Sequence, residues 1–202
     1  MEKKLLTIFG ASGLVGSSIL REALDRGYHV NGTLRDIERQ DRITRLKSLP
    51  SGNNAKFFQA DMAEVSSLDN PLINSDAAII CCLIPTYKGF DGTPAKELDD
   101  ERGYNEIIKP TVDGCLNILK SAKINNVKNI LICSSTSSTN PIPPVLVKNE
   151  LDHWSDEKEQ CNSKKYTSAA KTYMERAAFK FCNESNLRLS VFLPTGLYGP
   201  AI

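Results

Sequence analysis

Short apolar segments alternate along the chain with longer segments in which apolar residues recur at helical spacing. The first short segment, LLTIF at residues 5–9, lacks the alternation of a half-exposed strand and is typical of a strand covered on both faces. Residues 13–26 follow it directly and gather their apolar side chains on one side of a predicted helix. This succession of strand and helix recurs without an internal repeat, and it predicts β–α units rather than hairpins.

The remaining segments extend the same order to six strands. Further strands are predicted at 28–35, 55–61, 76–84, 127–135 and 187–195, and further helices at 40–49, 104–125 and 164–185. Pro110 lies inside one of these helices and is expected to disturb it or to mark a kink, because proline cannot donate a backbone hydrogen bond. The order predicts an α/β fold, a doubly wound Rossmann-type parallel sheet with strand order 3-2-1-4-5-6 and helices on both faces. The length suits a single domain that spans 1–202.

Composition and charge narrow the classes of function. The net charge of about +1 and the lack of a basic block argue against nucleic acid or an anionic membrane as a partner. None of the six cysteines has CxxC spacing, so we expect reduced thiols and no metal site. The apolar segment near the N-terminus is too short for a signal peptide, and no other segment approaches the length of a membrane span. These features predict a soluble, cytoplasmic protein.

The segment GASGLVG at 10–16 joins the first strand to the first helix, with its glycines three residues apart. Gly10 permits a tight turn, Gly13 lets an anionic group approach the backbone, and Gly16 lets the helix lie close to the sheet. The free N–H groups and the dipole at the helix N-terminus attract a pyrophosphate. Because strand, turn and helix occur in the required order, the segment predicts a dinucleotide site, with a plain glycine bend as the alternative. The other cofactor contacts predicted in this turn are Ser12, Leu14 and Val15.

The end of the second strand, TLRD, bears on the choice between NADP and NAD. Arg35, and Arg42 one or two helical turns further on, suit the 2′-phosphate of NADP through charge-assisted bonds. Two alternatives stay open because Asp36 follows Arg35. Its carboxylate could bind the ribose of NAD, or Arg and Asp could form a solvated pair without a ligand. Asp61 ends the third strand, where it is predicted to accept the adenine amino group, to cap the next helix, or to do both. We therefore expect NADPH as the cofactor, with NAD less favoured.

Several segments occur in the order that is typical of one family: GASGLVG, GTLRD, QADM, KPTVDGCLNILK, VKNILICSS, ELDHWSD, AAKTYMERAAFKF and LPTGLYGP. Together they resemble the extended short-chain dehydrogenases/reductases, which belong to the NAD-dependent epimerase/dehydratase superfamily. Within that family they resemble the branch of dihydroflavonol 4-reductase and cinnamoyl-CoA reductase. The resemblance runs from about residue 4 to residue 200, and KPTVDGCLNILK and WSD are fairly specific to this branch.

The resemblance implies a reaction in which a tyrosine exchanges a proton with the substrate oxygen while hydride passes to or from the nicotinamide. A serine at the end of the fifth strand polarises the substrate carbonyl. Matching CSS to the family makes that serine Ser135, with Ser134 as the alternative. The family's lysine matches Lys171, which would lower the pKa of the tyrosine and bind the nicotinamide ribose.

The tyrosine departs from the family pattern by one residue. The family has Tyr-x-x-x-Lys, whereas Tyr166 lies five residues before Lys171 and Thr167 lies four before it. Residues four apart share a helix face, and residues five apart do not. Three interpretations stay open: Tyr166 is catalytic through a one-residue π-bulge, the site is impaired, or another group such as Thr167 serves. Thr167 is a poor substitute because an aliphatic hydroxyl does not readily ionise.

Further site residues are implied by the resemblance alone. The remaining predicted cofactor contacts are Met62, Pro85, Pro194 and Leu197. Leu83 and Ile84 precede Pro85 where the family has small residues, and we expect them to pack the end of the strand. Asn140 matches a position that contacts substrate in the flavonoid-reducing branch, with a turn-forming asparagine before Pro141 as the alternative.

The chain ends at Ile202, where the family continues into a C-terminal lobe that closes over the substrate. We expect that lobe to be missing or truncated, and a homodimer would be one way to cover the exposed face. The leading hypothesis is an NADP-dependent oxidoreductase that interconverts a carbonyl and an alcohol on a bulky small molecule. The alternative is a catalytically impaired NAD(P)-binding regulator or scaffold, and a nucleotide-sugar epimerase comes third.

Overall fold

The computed structural model describes residues 4–82, 87–149 and 151–199. Six strands form one sheet: β1 Leu5–Phe9, β2 His29–Leu34, β3 Ala55–Gln59, β4 Ala77–Ile80, β5 Asn129–Cys133 and β6 Arg188–Phe192. Their order is β3-β2-β1-β4-β5-β6, and every pairing is parallel. The predicted doubly wound sheet is therefore confirmed, and its winding reverses between β1 and β4.

Helices connect the strands on both faces of the sheet. They are α1 Leu14–Asp25, α2 Gln40–Lys47, α3 Asp69–Leu72, α4 Asp100–Gly103, α5 Lys109–Ile124, α6 Glu157–Asn162 and α7 Tyr166–Glu184. Single 3₁₀ turns occupy Gly52–Asn54, Val65–Ser67, Ala95–Glu97 and Thr136–Ser138. A π-helical turn, Tyr104–Ile108, joins α4 to α5, and Pro110 lies in the first turn of α5. The predicted helix 104–125 is thus a π-helical turn followed by α5, and Pro110 lies at the start of α5, where its missing N–H is tolerated.

The residues of the central strand β1 are apolar in an unbroken run because both faces of this strand are covered. Ile8 belongs to the core on one face of the sheet, together with Leu20 and Leu24 of α1. Phe9 points to the opposite face, where it joins the larger core that includes Ile118 of α5. Successive strand residues point to opposite faces, so a strand covered on both sides needs apolar side chains at consecutive positions.

A third, smaller core lies beside the sheet, between α7 and the π-helical turn. Its buried members are Leu98, Ile107, Ile108, Tyr166, Ala169 and Ala170. All six cysteines are free thiols. Within the described ranges, no helix combines the length and the apolar composition needed to cross a bilayer.

Candidate active site

One cleft crosses the carboxyl ends of the strands at the point where the winding reverses. It consists of two cavities, which we call the arginine cavity (about 600 Å³, containing Arg35 and Arg42) and the lysine cavity (about 410 Å³, containing Lys171). Cys81 and Cys82, which follow β4, line both cavities and join them. Doubly wound α/β folds bind their ligands at this reversal, so the topology alone marks the cleft as a candidate site.

Two glycines of the first turn, Gly10 and Gly16, are required by the protein's own backbone conformation and packing, whether or not a ligand binds. Gly10 has φ +84°, a conformation that side chains rarely adopt, and a Cβ there would lie 2.9 Å from Cβ of Cys82. A Cβ on Gly16 would lie 2.1 Å from the carbonyl oxygen of Gly10. Gly16 thus lets α1 lie against the end of β1, as the sequence analysis predicts.

Gly13 needs a different explanation. Its φ of −79° is open to any residue, and a Cβ there would contact only the carbonyl oxygen of Gly10, at 3.4 Å. The space beside Gly13 belongs to the arginine cavity. No side chain caps α1, and its first turn contains no acidic residue. Neither the backbone conformation nor the packing requires a glycine at this position. A glycine at an uncapped helix N-terminus does, however, let a phosphate approach the backbone closely.

The other residues of this turn that were predicted to contact the cofactor do not all line the cleft. Ser12 lines the arginine cavity, and Val15 lines the lysine cavity. Leu14 lines neither cavity, and its side chain is exposed. The turn therefore contributes to both halves of the cleft, as expected if one ligand extends through both.

The arginine cavity holds guanidinium groups at its open edge. Arg35 and Arg42 both line it, and neither guanidinium group has a hydrogen-bond or ion-pair partner among the described residues. Arg39 also lines the cavity, although its side chain pairs with Asp41 at 3.0 Å. The Asp36 carboxylate accepts the backbone N–H of Glu38 at 2.9 Å. Among the described residues that line this cavity, the arginines whose side chains are unpaired are therefore the two predicted to bind a 2′-phosphate.

Asp61 and Met62 line the same cavity, at the end of β3. The Asp61 carboxylate accepts the N–H of Ala63 at 2.9 Å, so it caps a local turn, and no regular α-helix begins there. The Met62 carbonyl accepts a hydrogen bond from Asn117 Nδ2 at 3.0 Å. The predicted helix cap is therefore wrong, because Asp61 caps only a turn, and its carboxylate lies in the wall of the cavity. Asn117 of α5 holds the neighbouring backbone.

The lysine cavity brings together the predicted serine and lysine. Its walls are formed by Val15, Cys81, Cys82, Tyr87, Cys133, Ser134, Ser135, Ser137, Thr167, Ser168, Lys171, Pro194, Thr195 and Leu197. Lys171 Nζ donates to the Cys133 carbonyl oxygen at 3.3 Å, and Ser135 Oγ accepts the N–H of Ser137 at 3.2 Å. Burial lowers the pKa of Lys171 from its usual value, although Cys133 and Glu175 oppose that shift. The cavity therefore presents a hydroxyl group and an amine from two different elements.

The alternative serine, Ser134, has a separate role. It is 5% exposed, and its hydroxyl donates to the carboxylate of Glu175. Glu175 is itself only 2% exposed. Burial raises the pKa of the Glu175 carboxyl group, while the hydroxyls of Ser134 and Ser138 and the charge of Lys171 act in the opposite direction. Since Ser134 is bonded to this carboxyl group, Ser135 is the serine that is free to meet a ligand.

The structure does not bring Tyr166 into the lysine cavity. Its side chain is 1% exposed, and its hydroxyl donates to Oδ1 of Asp100 at 2.8 Å. The expected π-bulge between Tyr166 and Lys171 is wrong, because α7 is a regular α-helix throughout Tyr166–Glu184. The one π-helical turn in the described residues is the segment Tyr104–Ile108. Thr167 takes the position on the cavity wall that lies four residues before Lys171.

Of the remaining site residues that the resemblance implies, some line the lysine cavity and others do not. Pro194 and Leu197 line the lysine cavity, and the Pro194 carbonyl accepts the N–H of Thr136 at 3.2 Å. Asn140 lines neither cavity; its side chain is exposed and accepts a hydrogen bond from Lys148. Leu83, Ile84 and Pro85 lie outside the described residues.

Several residues of the cleft were not predicted from the sequence. Cys81 and Cys82 could have been found from their place near the end of the predicted strand 76–84, and Glu175 from its place one helical turn after Lys171. Burial raises the pKa of the Cys81 thiol to about 12 and that of Cys82 to about 11. These thiols stay protonated near neutral pH, so they form a neutral, apolar neck between the two cavities.

The parallel sheet, the glycine turn and the cleft across the strand ends define a dinucleotide-binding domain of the Rossmann type. A family model described as NAD(P)H-binding matches residues 10–194, and the chain belongs to this family. A bifunctional dihydroflavonol 4-reductase/flavanone 4-reductase from Malus domestica is 29% identical over 205 residues, which are 98% of this chain and 56% of the apple protein. The resemblance to the dihydroflavonol 4-reductase branch is thereby confirmed.

Solved structures share the fold. Vestitone reductase from alfalfa superposes with a TM-score of 0.68 at 22% identity, over 95% of this chain and 56% of that protein. The yeast methylglyoxal/isovaleraldehyde reductase Gre2, complexed with NADPH, superposes with a TM-score of 0.75 at 20% identity, over 98% and 59% of the two chains. The chain thus spans a little over half the length of these relatives.

Proposed function

We propose that this chain is the cofactor-binding part of an NADPH-dependent oxidoreductase that interconverts a carbonyl and an alcohol on a bulky small molecule. The observation that carries the proposal is the single cleft, which runs from Arg35 and Arg42 past Cys81 and Cys82 to Ser135 and Lys171. A dinucleotide needs this layout, because its phosphorylated end must be anchored while its nicotinamide reaches the reacting groups. The names of the relatives, which are reductases, support the same class of reaction.

The preference for NADPH over NADH rests on charge. Arg35 and Arg42 are unpaired among the described residues, and the neighbouring Asp36 carboxylate already accepts a backbone N–H. A 2′-phosphate would pair with both guanidinium groups, and each charge-assisted bond contributes roughly 1.5–3 kcal/mol. A plain 2′-hydroxyl would leave both cations without a partner. The yeast relative was solved with NADPH, which is consistent with this choice.

The cofactor, when bound, supplies or accepts a hydride at its nicotinamide ring. The chain's own residues act on the substrate oxygen: the Ser135 hydroxyl donates a hydrogen bond to it, and the Lys171 ammonium group lies in the same cavity as the negative charge that develops. Lys171 gives a proton to that oxygen on reduction and regains one from solvent, and the reverse reaction returns the proton to Lys171. We infer that Lys171 also binds the nicotinamide ribose, since Cys133 accepts only one of its three N–H groups. Tyr166 takes no part, because its hydroxyl is buried against Asp100.

A dinucleotide-binding protein with impaired chemistry is the second candidate. It is favoured by one observation, the presence of Thr167 at the place on the cavity wall where the family has a tyrosine. Both candidates require that the cofactor binds, and they differ only in turnover. They are therefore separated by measuring reduction of a panel of aldehydes and ketones after binding has been established.

The test is a fluorescence titration of the chain with NADPH and with NADH. We expect NADPH to bind at least about tenfold more tightly than NADH, and Arg35→Ala to remove most of that difference. Arg45→Ala is the matched control, because Arg45 is an exposed arginine of α2 that does not line the cavity. Equal binding of the two cofactors would overturn the NADPH assignment, and no binding of either would overturn the proposed function.

A further inference from the structure

Glu175 is a buried acidic residue that the proposed chemistry does not use. Its side chain is 2% exposed, and it lies on α7 one helical turn after Lys171. A buried carboxyl group is costly unless it is hydrogen-bonded. The partners of Glu175 therefore show why an acid is placed here.

The hydrogen-bond partner of Glu175 belongs to the turn that carries the proposed catalytic serine. The Ser134 hydroxyl, directly before Ser135, donates to Oε1 of Glu175. Ser138 closes the same turn, because its hydroxyl donates to the carbonyl oxygen of Ser135 at 2.9 Å. Glu175 is thus bonded to the first residue of the turn that contains Ser135.

The same helix reaches the end of β5 at a second point. Lys171 Nζ donates to the carbonyl oxygen of Cys133, the residue that precedes Ser134. Lys171 and Glu175 share one face of α7, because they are four residues apart in a regular helix. Two adjacent residues of the strand end are therefore tied to two successive turns of α7.

We propose that Glu175 is a positioning residue: it ties the turn Ser134–Ser138 to α7 and thereby sets the distance between the Ser135 hydroxyl and the Lys171 amine. Without Glu175, α7 would keep Lys171, but the turn would lose its bond to that helix. The group affected is the nicotinamide end of the cofactor, while Arg35 and Arg42 lie in the other cavity. This inference rests on the proposed function of the cleft.

The test compares two probes that reach different parts of the cleft. NADPH spans both cavities, whereas adenosine 2′,5′-bisphosphate contains only the phosphorylated adenosine end. We expect Glu175→Leu to weaken NADPH about tenfold and to change binding of the bisphosphate by less than about twofold. Glu175→Gln keeps an acceptor oxygen and a similar volume, so it should stay within about threefold of the wild type for both probes.

Cys182→Ala is the matched control. Cys182 is equally buried on α7, but it packs in the larger core of the sheet and lines neither cavity. We expect this variant to lose thermal stability without a difference between the two probes. If Glu175→Leu binds NADPH as the wild type does, or weakens both probes equally, Glu175 is only structural and the inference is overturned.

Ser134→Ala decides the question if Glu175→Leu does not fold. It removes the hydroxyl that donates to Glu175, while Ser135 and Lys171 keep their side chains. We expect about threefold to tenfold weaker NADPH binding with unchanged bisphosphate binding, and unchanged NADPH binding would refute the inference. Failure of the wild type to bind either probe would instead refute the proposed function itself, and the inference with it.

Discussion

Tyr166 and Lys171 point away from each other on one regular helix. The Tyr166 hydroxyl donates to Asp100 at 2.8 Å on one side of α7, and Lys171 Nζ donates to Cys133 at 3.3 Å on the other. Five residues turn an α-helix about 140° beyond a full turn, so the two side chains cannot share a cavity without a bulge. The ring of Tyr166 instead packs against Gly103, where a Cβ would lie 2.5 Å from it.

Tyr166→Phe should leave cofactor binding and turnover within about threefold of the wild type. It removes the hydrogen bond to the exposed Asp100 carboxylate and a longer contact, 3.4 Å, to the Leu98 carbonyl oxygen, so we expect a loss of about 0.5–1.5 kcal/mol in the free energy of unfolding. The measurements are NADPH titration, carbonyl reduction and denaturant unfolding, with Tyr173→Phe as the control on the same helix. Loss of reduction in a folded Tyr166→Phe protein would contradict the structural role.

The ionisation of Tyr166 should be visible at high pH. Burial, followed by the hydrogen bond to Asp100, raises the pKa of Tyr166 from its ordinary value of 10.0 to about 12. The folded state therefore keeps the proton where the unfolded state loses it. The contribution of Tyr166 to stability should be complete below pH 10 and should disappear as the pH rises through 12.

That prediction is checked by following tyrosinate absorbance and unfolding free energy together. The wild type should show one tyrosine that ionises near pH 12 and is absent in Tyr166→Phe. The difference in unfolding free energy between the two proteins should stay constant up to about pH 10 and then shrink. A Tyr166 that ionises near or below pH 10 would show that the hydroxyl is not held as described.

Thr167→Tyr should increase carbonyl reduction. Thr167 lines the lysine cavity four residues before Lys171, so a phenol there would share the cavity with the Lys171 ammonium group. A positioned proton donor contributes about 10²–10⁴-fold, and we expect at least about a tenfold gain. Thr167→Phe is the control, because it adds nearly the same side-chain volume without the hydroxyl. Equal rates for the two variants would rule out proton donation at this position.

The glycines of the first turn should respond differently to alanine. Gly16→Ala would place a Cβ 2.1 Å from the Gly10 carbonyl oxygen, so we expect marked destabilisation or failure to fold. Gly13→Ala meets only an ordinary contact at 3.4 Å, so it should fold normally and bind NADPH at least about tenfold more weakly. Thermal unfolding and NADPH titration measure the two effects, and unaltered binding by Gly13→Ala would argue that no phosphate approaches this residue.

The amino-acid sequence by itself determined the architecture and half of the cleft. The spacing of apolar residues distinguished strands from helices, because local periodicity reports which faces of an element are covered. The alternation of these strands and helices then predicted the order of the sheet. Gly10, Gly13 and Arg35 could be selected since they lie at or near predicted strand ends, and parallel strands bring their carboxyl ends to one edge. Arg42 could be selected because it follows Arg35 by one or two helical turns.

Only the tertiary structure decided which side chains of α7 act in the cleft. The spacing of Tyr166 and Lys171 showed a departure from the family pattern, but not whether the helix would adjust its backbone. Asp100, 66 residues earlier, accepts the Tyr166 hydroxyl, and Ser134, 41 residues earlier, bonds to Glu175. Contacts between residues so far apart depend on how the elements pack around the sheet, and no local pattern encodes that packing.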